Sequence, residues 1–88
     1  MPTLSLFYGI VITMYPEIGG KHHMPHFHAE YQGQEVAMTF DGEVLDGSFP
    51  KAKLKLVSAW AEIHKDDLMA NWKLLSEGHQ IFRIDPLR

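Results

Sequence analysis

Four of the six histidines fall in one stretch, His22-His23-Met24-Pro25-His26-Phe27-His28-Ala29-Glu30-Tyr31. Read with a period of two, it sends Phe27, Ala29 and Tyr31 to one side and His26, His28 and Glu30 to the other, so an apolar face and an ionisable face leave the same predicted strand. Imidazoles two residues apart sit about 6.6 Å from each other along such a backbone. Side chains can close that gap around one ion at bonds of about 2.0 to 2.1 Å. Glu30, or His23 from the preceding loop, would be a third ligand. Two histidines and a carboxylate suit zinc with an open position, or non-haem iron. The same groups need no metal to do acid-base work, since a histidine near pKa 6.5 beside a carboxylate can shuttle a proton during RNA cleavage. The candidate catalytic set is then His26, His28, Glu30 and Glu35, with Lys51, Lys53 and Lys55 holding phosphates.

A third use of this surface involves no chemistry: the sheet face, or an exposed edge, docks a partner protein or a second copy of the chain. Composition favours it. The net charge is -3 with histidines neutral, which supplies no basic field for nucleic acid, and only Arg83 and Arg88 are available as arginines. RNA is therefore the weaker partner and a protein the stronger. With no cysteine there is no disulfide framework or thiolate zinc site, and a reducing cytoplasm is compatible. The apolar run from Leu4 to Tyr15 is broken by Ser5, Gly9 and Thr13 and is too short to span a bilayer. No membrane association is expected.

The elements that must position these groups follow from patterning. At 88 residues the chain is expected to form a single domain, 1–88, that buries roughly 60% of its unfolded surface. Leu6 to Tyr15 is apolar on both sides and predicts one central strand, followed by a loop from Pro16 to Pro25. If Gln32-Gly33 is a two-residue hairpin turn, Tyr31 faces Gln34, Ala29 faces Val36 and Phe27 faces Met38. On the other side the same register sets Glu30 against Glu35, His28 against Ala37 and His26 against Thr39. Two carboxylates directly opposite repel unless solvent, a cation, a protonated histidine or a partner's basic residue relieves them. Asp41-Gly42 marks a second turn into Glu43-Val44-Leu45, and Gly47 ends the meander.

Ser48, as a hydroxyl cap, and Pro50 open a helix with Leu56, Val57, Trp60, Ile63 and His64 inward. Asp66 or Asp67 starts a second, with Leu68, Met69, Trp72 and Leu75 inward, and Gly78 stops it. Trp60 and Trp72 read as packing anchors, His64 as a core-edge histidine, and His79 as a group near a helix C-terminus. Gln80 to Ile84 predicts a short last strand or a docked tail. The expected class is α+β: an antiparallel β-meander of about four strands, two helices packed on one face, and that C-terminal segment.

Met1-Pro2-Thr3, Phe7-Tyr8-Gly9-Ile10, Pro25-His26-Phe27-His28-Ala29-Glu30-Tyr31, Gly42-Glu43-Val44-Leu45-Asp46-Gly47, Trp60, Asn71-Trp72 and Ile84-Asp85-Pro86-Leu87 together resemble a bacterial family of short proteins, domain of unknown function 4160. The resemblance covers nearly the whole chain. It implies a small cytoplasmic protein of uncharacterised activity, encoded beside another small protein, in a pair suggested to be a toxin-antitoxin module. The His22-His23-Met24 run departs from the family pattern, so any role for His22 or His23 would belong to this chain.

Overall fold

The computed structural model describes residues 3–15 and 24–87. Five strands, β1 (Thr3–Phe7), β2 (Ile10–Thr13), β3 (His26–Tyr31), β4 (Gln34–Thr39) and β5 (Val44–Gly47), form one antiparallel sheet in sequence order. Two helices follow, α1 (Lys51–Ile63) and α2 (Lys65–Ser76). The α+β class and the meander are as expected, with one strand more.

The extra strand comes from Tyr8-Gly9. Leu6 to Tyr15 is not one central strand: Tyr8 and Gly9 take φ of 50° and 78°, the paired left-handed conformation of a tight hairpin turn, and the run doubles back. Its two apolar sides arise because β1 and β2 each bury alternate residues. Thr3 pairs with Thr13 and Ser5 with Ile12, so the register slips by one residue at Leu4. This bulge turns Leu4 and Ser5 inward together, and both are fully buried. The loop expected over Pro16 to Pro25 lies mostly outside the described residues.

The second hairpin has the register required by its turn. Gln32 and Gly33 take φ of 47° and 83°, and Phe27–Met38, Ala29–Val36 and Glu30–Glu35 are Cα partners. Phe27, Ala29, Val36 and Met38 join Ile10 and Ile12 in a core closed by Val57, Trp60, Ala61 and Leu68 from the helices. Trp60 is central, its ring 5.6 Å from Phe7 and 5.8 Å from Phe27.

Three helix details differ from expectation. Ser48 does not cap α1: Pro50 stands at its N-cap with no side-chain cap bond, because proline's fixed φ suits the helix entry. Ile63 and Met69 point outward, at 66% and 47% exposure. The chain breaks at His64 between α1 and α2, so each helix has its own phase and the apolar stripe does not run through. α2 ends as expected, with Gly78 at φ 79° and His79 N–H donating to the Leu74 carbonyl at 2.8 Å.

The C-terminal segment is a docked tail rather than a strand. Ile84 N–H donates to the Leu4 carbonyl at 2.8 Å on the β1 edge, and Trp60 Nε1 donates to the Asp85 carbonyl at 2.8 Å. Asn71, fully buried, clasps Phe82: its Nδ2 donates to the Phe82 carbonyl at 3.1 Å and its Oδ1 accepts the Phe82 N–H at 2.8 Å. One side-chain amide thus satisfies both backbone groups, as a neighbouring strand would.

Candidate functional site

β3 places the histidines, and alternation decides where each points. His28 leaves the sheet opposite Phe27 and Ala29. Its ring stacks on Tyr15 at 4.6 Å with an interplanar angle of 16°, because Thr13, two residues before Tyr15, is its partner on β2. Its Nδ1 lies 3.5 Å from Glu35 Oε1. Glu35 is the diagonal neighbour of His28 on β4, within reach of a long side chain. The carboxylate beside the imidazole is therefore Glu35, while Glu30 is exposed.

His26 behaves differently. At the start of β3 its Nδ1–H donates to the Met24 carbonyl at 2.7 Å, which places the ring's lone pair on Nε2. Its ring lies 5.4 Å from Trp72 of α2 and 5.4 Å from His28. The two imidazoles do come together. They are not laid open, however: His26 is 2% exposed and His28 8%. Strand alternation sends both rings to the side opposite Phe27 and Ala29, yet His26, at the strand end, also lies against Trp72 of α2.

Among the described residues no three histidine, aspartate or glutamate side chains gather as a metal-holding group. His23 lies outside those residues. His26, His28 and Glu35 are the groups the fold brings nearest to a ligand set for zinc or iron, with Glu30 displaced toward solvent. Tyr15, missed from sequence, was detectable only once β2 was paired with β3.

The remaining candidates have structural surroundings. His64 caps the α1–α2 corner, its ring 5.7 Å from Trp60 and its Nδ1 3.5 Å from Asp67. His79 is exposed. Of the α1 lysines, Lys53 lies over the Tyr31 ring at 5.1 Å, while Lys51 and Lys55 face solvent. All three sit on a helix rather than on the histidine face.

That face carries a continuous row. Leu6 pairs with Val11, Val11 with Glu30, and Glu30 with Glu35, so these four side chains cross four strands on the side away from the core. Leu6 is 55% exposed, Val11 half-buried, and both glutamates are exposed. Beside the row, Tyr8 projects from its turn, exposed and in a left-handed conformation unusual for a bulky residue.

These features define a small α+β domain with helices on one sheet face and a mixed apolar and acidic row on the other. Residues 9–73 match the family model described as Domain of unknown function (DUF4160), and the chain belongs to that family. No curated protein and no solved structure matches it. No helix among the described residues is long and apolar enough to cross a membrane.

Proposed function

We propose that the protein is a bacterial, cytoplasmic interaction module, one component of a toxin-antitoxin-like pair, and that its open sheet face receives the small protein encoded beside it. The supporting observation is the Leu6–Val11–Glu30–Glu35 row. An exposed leucine continuing into two directly opposed carboxylates is unfavourable for an isolated sheet, and a partner that covers the leucine and sets hydrogen-bond donors beside the carboxylates relieves it. Tyr8, held at positive φ with its ring exposed, adds a rigid aromatic contact of the kind enriched at interfaces.

Co-expression with the neighbouring gene product, followed by size-exclusion chromatography, tests this reading. A stoichiometric complex that survives His26→Ala but is lost in Leu6→Asp is expected. Absence of a complex with the parent protein, or one indifferent to Leu6→Asp, overturns it. Self-association lost in Leu6→Asp would make the occupant a second copy instead.

The alternative is a metal-dependent or acid-base phosphodiesterase on the histidine face, and the 3.5 Å approach of His28 to Glu35 is what favours it. Burial of both rings and the acidic surroundings weigh against it. RNA cleavage lost in His28→Ala and insensitive to chelator would establish the acid-base form. Stoichiometric zinc or iron uptake lost in His26→Ala and His28→Ala would establish the metal form.

A further inference from the structure

Charge is segregated in this fold. From Thr3 to Gly47 the described residues carry the carboxylates of Glu30, Glu35, Asp41, Glu43 and Asp46 and not one lysine or arginine. Every described lysine lies on α1 or α2, and Arg83 lies in the tail. Among the described residues of the sheet layer, every carboxylate lies from β3 onward and none faces a lysine or arginine of the same layer. On its open face Asp46 pairs with Ala37, one row from the glutamates, adding a third exposed carboxylate on that side.

We propose that the element seated on this face is a cationic segment of a partner protein, with an arginine laid between Glu30 and Glu35 and an apolar neighbour on Leu6 and Val11. This rests on the reading that the face is a docking surface. A guanidinium donates in a planar fork to two acceptors at once, which matches opposed carboxylates better than a point charge does. His28 engages one side of Glu35 through Oε1, and Glu30 presents its carboxylate to solvent. The apolar half of the row sets the direction: the cation belongs over β3 and β4, the greasy side chain over β1 and β2. A nucleic acid is the wrong sign for this face, and a second copy of the chain docked face to face would bring its own carboxylates against these.

Fluorescence anisotropy with two labelled synthetic peptides, one alternating leucine and arginine and the other leucine and glutamate, tests the chemistry. Binding of the arginine peptide alone is expected, weakening as salt screens it. The exposed, isosteric double variant Glu30→Gln/Glu35→Gln raises its Kd about tenfold. Asp66→Asn/Asp67→Asn on α2, which changes the net charge equally, leaves it unchanged, and amide shifts in NMR spectra centre on Leu6, Val11 and Glu30. Equal binding of both peptides, an equal loss in the α2 control, or a single-stranded RNA oligonucleotide shifting the same amides overturns the proposal. If Leu6→Asp breaks the complex with the neighbouring gene product but the double glutamine variant does not, the face docks a partner without this charge and the present inference alone falls. If neither variant affects that complex, the docking reading itself falls.

Discussion

Glu35 lies diagonally across from His28, with Oε1 3.5 Å from Nδ1, while Glu30, its direct Cα partner on β3, is exposed to solvent. Among the described residues, an imidazole therefore lies beside one of the two opposed carboxylates and not beside the other. Glu30→Gln should raise stability by roughly a few tenths of a kcal/mol up to about 1, by removing repulsion. His28→Ala should lower it by about 1–3 kcal/mol, because a buried ring stacked on Tyr15 is deleted. Urea denaturation of both variants checks the opposite signs; destabilisation by Glu30→Gln would show the pair is not in tension.

A sharper backbone constraint sits at Gly47, where φ is 88° and an added Cβ would come 2.1 Å from the Glu35 carbonyl oxygen. Strain and a backbone clash combine there, so Gly47→Ala should cost more than about 3 kcal/mol. Gly33 has φ 83° with open space around its Cβ position, so Gly33→Ala should cost only about 1–2 kcal/mol. Comparing their thermal midpoints separates conformation from collision.

The tail depends on one amide. Asn71→Leu keeps the volume but removes both bonds to Phe82, unpairing two part-buried backbone groups at a cost of about 1–3 kcal/mol. Trypsin cleavage after Arg83 and hydrogen exchange at Phe82 and Ile84 should accelerate before global unfolding. If those rates move only with global unfolding, the tail is not an independent strap.

Tyr8→Asn should stabilise the β1–β2 hairpin by about 1 kcal/mol, since asparagine tolerates positive φ better than tyrosine. The same change should weaken the complex with the neighbouring gene product. A gain in melting temperature without loss of binding would leave Tyr8 out of the docking surface.

Lys65 pairs with Asp41, linking the turn after β4 to the start of α2. The side-chain hydrogen bond that Lys65 Nζ donates to Asp41, then the charge of that carboxylate, raises the lysine pKa above its ordinary value. A raised folded-state pKa means the stabilisation is complete below the ordinary value of about 10.4 and fades as pH rises through the raised one. Melting curves of Lys65→Met and the parent protein should therefore converge in strong alkali and differ near neutrality, with the difference reduced by salt.

Much of this was readable one residue at a time. Gln32-Gly33 determined the β3–β4 register because a two-residue turn leaves the strands a single alignment, and with it the Glu30–Glu35 opposition and the core identity of Phe27, Ala29, Val36 and Met38. Gly78 set the end of α2 for an equally local reason, its freedom at positive φ. Tyr8-Gly9 is not legible as a turn because tyrosine seldom occupies such a position, and the apolar residues around it read as one strand. Which carboxylate approaches His28, that Tyr15 covers that ring, that His26 closes onto Trp72, and that Asn71 clasps the tail were decided only in three dimensions. The Tyr15, Trp72 and Asn71 contacts join residues distant in the chain and follow from how strands and helices meet, while the choice of Glu35 over Glu30 beside His28 is a matter of side-chain packing within one hairpin, which its turn does not encode.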